Sequence, residues 1–353
     1  MDTLSQLTRI LDANANRARE GLRTTEDYVR FLLGDLHYAQ QLRSVRHGLT
    51  EILCTMGLSE ELVLSRNVGT DPLQPENWKD VLRRVDKETP LDIAHRGIKR
   101  SQEALRVLEE NTRGNYPQQA EELSKLRFRL YELEQWLVCV SPAMEIVNAA
   151  KVYVLITATL CKKCSVFETA KAVLLGGVKF LQLREKEKND TEFLADLRRL
   201  QDLCAEQRAV LCCNDRLDLA LLAECKAVHL GQEDVGPEEA RRLAGRRVVI
   251  GRSTHTVQQA RTAVDKEHAD YIAIGSMFET RTKDRAIVAG LKLAEDIAAL
   301  SIKVPIFAIG GVTLGKLGAL KAAGVKRVAV SQAIIGSDAP QEEAQKFVEE
   351  MAK

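Results

Sequence analysis

The sequence predicts an all-α helical domain over residues 1–145 followed by an α/β unit over 146–353, a TIM (β/α)₈ barrel. Three observations carry this expectation. The chain has 353 residues, more than one compact core usually holds, so about two domains are expected. Its first part is rich in Arg, Glu, Leu, Ala and Gln and poor in β-branched runs, which is a helical texture. After it, short apolar runs alternate with stretches of helical length, the way parallel strands and their covering helices read in sequence.

In the first part, residues 12–33, 92–113 and 121–137 read as helices, the last with Leu126, Leu130, Leu133 and Leu137 at helical spacing. The first two share a weak repeat. Arg17, Glu20, Leu22, Arg23, Glu26 and Arg30 recur at a constant offset as Arg100, Glu103, Leu105, Arg106, Glu109 and Arg113. Charged residues three apart lie near one helical stripe, so the two segments are expected to pack as related helices and exchange ion pairs. A structural charged seam is the plain interpretation, and an anion site the sharper one. The boundary is expected near Ser141-Pro142, where proline breaks the pattern.

Strands are then expected at 152–157, 178–183, 209–213, 227–230, 248–250, 271–274, 305–309 and 327–330, with helices at 166–175, 190–207, 256–266, 290–300 and 314–323 between them. An open doubly wound sheet would carry a Gly-rich fingerprint after its first strand, and here Thr157-Ala158-Thr159-Leu160 follow instead. Eight units in about 200 residues fit a small barrel.

Composition narrows the function. Lys+Arg 51 against Asp+Glu 50 gives no hint of nucleic acid. No apolar run approaches the roughly 18 residues of a membrane span, and the N-terminus lacks a signal-peptide pattern, so a cytoplasmic protein is expected, with no membrane partner and self-association left open. The eight Cys are scattered and read as reduced thiols. Cys161 and Cys164 have C-x-x-C spacing, but no second pair or His pair completes a zinc site.

A barrel builds its active site at the C-terminal ends of its strands, and polar residues stand after nearly every expected strand. They include Gln182-Leu183-Arg184-Glu185-Lys186, Asn214-Asp215, His229 to Asp234, Ser253-Thr254-His255, Thr280 to Lys283, Gly310-Gly311 and Ser331-Gln332. Singly, each is a helix cap, a turn or a surface charge. Together, Arg184, Lys186 and Lys283 beside Asp215 and Asp234 suit a Mg²⁺-bound polyphosphate, and the two glycines with the segment after strand eight suit a second phosphate.

In these motifs, and in their order from about Val152 onward, the chain resembles thiamine phosphate synthase, with an N-terminal helical extension found in some members. The resemblance implies that Asp215 and Asp234 hold Mg²⁺ and that Arg184, Lys186 and Lys283 are the catalytic cations. It implies further that Gln182, Leu183, Arg184, Glu185, Lys186, Asn214, Ser253 and Lys283 bind a pyrimidine diphosphate, while Thr280, Arg281, Thr282, Gly311, Ser331 and Gln332 bind a thiazole phosphate. These small molecules are the expected partners. The chain departs from the family form in placing Ser331-Gln332 where Val-Ser is usual, and Ser276 and Glu279 where prolines are usual. Two other functions stay in view: a thiazole tautomerase, which would use His255 as an acid/base, and a phosphate-binding barrel without turnover.

Overall fold

In the computed structural model the described residues are 3–57, 62–63, 88–279 and 288–353. They divide into two compact units, Met1–Val138 and Cys139–Lys353. None of the described helices is long and apolar enough to cross a membrane.

The first unit is helical: α1 (Thr3–Asp27) runs into a π-helical stretch (Tyr28–Leu33), followed by α2 (Leu36–Thr55), α3 (Pro90–Thr112) and α4 (Pro117–Cys139). The stretch ends at Gly34, whose φ of 70° reverses the chain where a side chain would be strained. Asp35 then caps α2 by accepting from Tyr38 N, and Thr89 and Asp92 form a reciprocal capping box on α3.

The repeated segments of α1 and α3 do pack together, through their small residues. A Cβ on Gly21 would lie 2.3 Å from Gly97 O, so the backbones touch. Ser101 Oγ donates to Ala18 O at 3.1 Å, and Thr25 Oγ1 to Ala94 O at 2.9 Å. The expected exchange of ion pairs is different in detail. Among the described residues the repeat-related acids pair with other helices: Glu26 with Arg46 of α2 at 3.1 Å, and Glu109 with Arg127 of α4 at 3.0 Å. Burial pushes the Glu109 carboxyl up, but Arg127, Arg106 and Arg113 outweigh it and hold it below the ordinary range. Backbone contact leaves no room for long charged side chains between α1 and α3, so they turn outward.

The second unit opens with α5 (Ser141–Ala149), which follows directly on α4 and carries Pro142 in its first turn. Arg327 reaches back to Asn148 O at 2.8 Å. Eight parallel strands follow and close in sequence order: β1 (Val152–Ile156), β2 (Phe180–Leu183), β3 (Val210–Asn214), β4 (Ala227–Leu230), β5 (Val249–Thr254), β6 (Tyr271–Ile274), β7 (Ile306–Ile309) and β8 (Val328–Val330). Between them lie α6 (Val166–Leu175), α7 (Asp190–Glu206), α8 (Leu217–Leu222), α9 (Pro237–Ala244), α10 (Val257–Asp265), α11 (Gly290–Ala298) and α12 (Leu317–Ala322), and after β8 come α13 (Gln332–Ile335) and α14 (Pro340–Ala352). β5 extends past the expected 248–250 because Gly251 lets it lie against β6, and this brings Ser253 into the strand.

Side chains alternate along each strand. Val154, Leu181, Leu211, Val228, Ile250 and Ile272 point outward into the apolar layer under the helices. Tyr153, Phe180, Tyr271 and Phe307 point inward and plug the barrel, with the Tyr153 and Phe180 rings stacked at 3.9 Å. The same inner face also carries Gln182, Cys212 and His229, all buried. The C-terminal mouth lies above them.

Candidate active site

Asp215 directly follows β3 with φ 60°, a left-handed conformation that a short acidic side chain tolerates. Its N–H donates to His229 O of the neighbouring strand at 2.8 Å. Asp234, in the loop after β4, accepts from Gly231 N at 2.6 Å. The two carboxyls share one environment: burial first, then the adjacent Asp234, pushes Asp215 up to about 6, while Lys186 and Arg184 pull it back. Asp234, Lys186 and Arg184 all act on Asp215, and the four stand after three consecutive strands, β2, β3 and β4.

Arg252, which motif reading left without a role, fastens this corner. It is 6% exposed and donates to Gly231 O at 2.5 Å and Val235 O at 3.2 Å, gripping the loop on both sides of Asp234. The signal available in sequence was a lone charge on an apolar strand, facing the outer layer.

The other expected contacts separate by face. Gln182, Asn214 and Ser253 lie on the inner face. Leu183 does not join them: it points outward into the apolar layer, since it follows Gln182 on a strand of period two, and only its backbone is left to meet a ligand. Glu185 is committed to the fold, accepting from Ala158 N at 2.6 Å and so holding the turn after β1. Its carboxyl is raised by burial, an effect this backbone hydrogen bond only partly opposes.

At the opposite side of the mouth, Gly310 and Gly311 adopt φ 102° and 61°. A Cβ on Gly310 would meet Ser276 Oγ at 1.9 Å, and one on Gly311 would meet Glu279 O at 2.4 Å, so both positions exclude side chains. Ser276 Oγ donates to Phe278 O at 2.8 Å and its carbonyl accepts from Ala289 N at 2.8 Å, which ties down both ends of the β6 loop. Thr280, Arg281, Thr282 and Lys283 within that loop lie outside the described residues. Ser331 Oγ is buried and has no hydrogen-bond partner among the described residues, and neither have Thr157 Oγ1 and Gln182 Oε1 at the same end of the barrel. Three orphaned buried polar atoms around one mouth are what a site awaiting a polar ligand presents. Gln332 is exposed. His255 Nδ1 faces Gly275 O at 2.5 Å, which commits that nitrogen's proton to a main-chain carbonyl.

Among the described residues no three His, Cys, Asp or Glu side chains cluster as a protein-only metal cage. Two carboxylates with cations beside them suit a hard divalent ion that takes its other ligands from water and phosphate. A divalent cation between them would relieve the like-charge crowding that, after burial, raises Asp215.

The family model described as thiamine monophosphate synthase matches residues 152–334, and one described as the ThiD2 family matches 9–136. A thiamine-phosphate synthase of Parasynechococcus marenigrum is 34% identical over 349 residues, 99% of this chain and 97% of that one. Another, of Gloeobacter violaceus, is 36% identical over 343 residues, 97% and 96% of the two chains. The solved thiamine phosphate pyrophosphorylase of Pyrococcus furiosus superposes with a TM-score of 0.53 at 29% identity, covering 59% of this chain and 98% of its own.

Proposed function

The chain belongs to the thiamine monophosphate synthase family, and from that premise we propose that its barrel joins an aminopyrimidine methyl diphosphate to a thiazole phosphate, forming thiamine monophosphate and releasing pyrophosphate. It is a transferase of thiamine biosynthesis, working on small-molecule substrates, and we assign it to the cytoplasm.

The observation that carries the site assignment is the shared field of Asp215, Asp234, Arg184 and Lys186. Asp215 and Asp234 would hold Mg²⁺, which when bound supplies positive charge to the diphosphate. Arg184 and Lys186, with Lys283 from the β6 loop, neutralise the remaining charge as the leaving group forms. The C–O bond to the diphosphate breaks with its electron pair going to pyrophosphate, and the pyrimidine methylene is left cationic. The electron-rich amino ring stabilises that cation, and the thiazole nitrogen lone pair then closes the new C–N bond. Gln182, Asn214 and Ser253 hold the pyrimidine side; Gly311 and Ser331 hold the thiazole's phosphate, with Thr280 and Thr282 on its ring. No acid/base pair is needed, because positioning and electrostatics carry the step.

The test is pyrophosphate release by the purified full chain given both substrates and Mg²⁺. Asp215→Ala should lose turnover by at least 100-fold while keeping its circular-dichroism spectrum. Silence of the wild type, or full activity of the variant, refutes the assignment.

A further inference from the structure

The loop between β1 and α6 carries two thiols that the synthase reaction leaves unused. Cys161 and Cys164 stand there at C-x-x-C spacing, Cys164 exposed and Cys161 half-buried. Their setting differs from that of the other barrel cysteines, Cys204, Cys212, Cys213 and Cys225, which are all buried. Burial pushes those four thiols up, Cys212 to about 11 and Cys204 to about 12, which keeps them protonated and inert. Across Lys162 to Cys164 the chain bends before Ser165 caps α6, and Cys164 lies near enough for its charge to act on Cys161.

This loop is tied to both sides of the mouth. Cys161 Sγ donates to Thr157 O at 3.4 Å, and Ala158 N donates to Glu185, after β2, at 2.6 Å. Lys163 Nζ pairs with Asp338 Oδ1 at 2.9 Å, between α13 and α14, and α6 packs on both of those helices. Thr157 follows β1 and Ser331 follows β8, which are paired strands, and the hydroxyls of both residues are among the orphaned buried atoms of the mouth. A disulfide sulfur has no proton to donate. Cys161 Sγ therefore cannot bond to Cys164 and still hold the Thr157 carbonyl.

We propose that Cys161 and Cys164 are a thiol–disulfide exchange site for a small disulfide such as oxidised glutathione, and that closing the pair loosens the β1 side of the phosphate subsite. Cys164, as its thiolate, attacks one sulfur of the small disulfide. That S–S bond breaks with its electron pair going to one glutathione, which takes a proton. Cys161 loses its proton to water, attacks Cys164 Sγ and expels the second glutathione, which is protonated in turn. Two protein thiols are oxidised and one glutathione disulfide is reduced to two thiols. In a reducing compartment such a bond is transient and redox-sensing. Its effect on the substrate rests on the synthase function proposed above; formation of the bond does not.

The experiment equilibrates the full chain in glutathione buffers from fully reducing to fully oxidising, then quenches with acid, alkylates and maps the peptides by mass. The KM for the thiazole phosphate is measured in the same buffers with Mg²⁺ and the pyrimidine diphosphate. A Cys161–Cys164 disulfide should form and reverse with the buffer, and the oxidised protein should show a KM at least threefold higher. Cys164→Ser should form no such bond and keep one KM throughout. Cys161→Ser, whose hydroxyl can still donate to Thr157 O, should do the same and decides the matter if Cys164→Ser does not fold. Glutathione adducts without the internal disulfide, a disulfide with unchanged KM, or a KM shift that persists in the serine variants overturns the proposal. A protein that closes the disulfide but turns over nothing in reducing buffer would instead strike the synthase function.

Discussion

Neutralising Asp234 should make the metal-free protein more stable while destroying its activity. The perturbation is Asp234→Asn, whose side-chain oxygen can still accept from Gly231 N. Asp215 is pushed from 3.8 to about 6, and at about 1.4 kcal/mol per unit this bounds the unfavourable energy of its charged form at about 3 kcal/mol. Burial is the first cause and persists in the variant, and the carboxyl is partly open to water that screens it, so removing the neighbouring charge should return about 1 kcal/mol. In a unit of the barrel's size, Cys139–Lys353, that is a rise of about 2–4 °C in Tm. Because the folded pKa is raised, the stability from protonating Asp215 is fully present below 3.8 and is lost as pH rises through 6. The gain of Asp234→Asn should therefore appear at pH 7.5 in EDTA and vanish near pH 4. With Mg²⁺ at about 100 times its Kd the order should reverse, since the wild type alone gains about 2.7 kcal/mol. Thermal unfolding at the two pH values, with and without Mg²⁺, reads all of this. A wild type no less stable than the variant in EDTA at pH 7.5, or a difference that persists at pH 4, refutes the argument.

Other outcomes follow from single contacts. Arg252→Met should weaken Mg²⁺ binding about tenfold with little change in the affinity for the thiazole phosphate, because it frees the loop carrying Asp234; titration calorimetry checks it. Gly311→Ala, at φ 61° and with Glu279 O 2.4 Å from the new Cβ, should raise the KM for the thiazole phosphate at least tenfold and cost about 1–3 kcal/mol of stability. Glu109→Gln leaves the Arg127 guanidinium buried without its counter-charge and should destabilise the helical unit by about 3 kcal/mol in a denaturant titration. Because Glu109 is held below its ordinary pKa, the wild type's advantage at this position is present above about pH 4.5 and should fade as pH falls below it.

Local pattern determined much by itself. Alternating apolar runs fixed the eight strands, and the polar residues closing them marked one end of the barrel, because period-two alternation and strand-end chemistry are written in neighbouring residues. It could not show that Leu183 turns outward with the apolar layer, that Glu185 is engaged in holding the β1 turn, or that the helices of the repeat meet backbone to backbone and send Glu26 and Glu109 to third helices. Nor could it connect Tyr153, His229 and Tyr271, which lie on three strands far apart in the chain. Strand closure and stagger alone decide which inward side chains share a level, and hydrogen bonds between such levels depend on distances that no local pattern encodes.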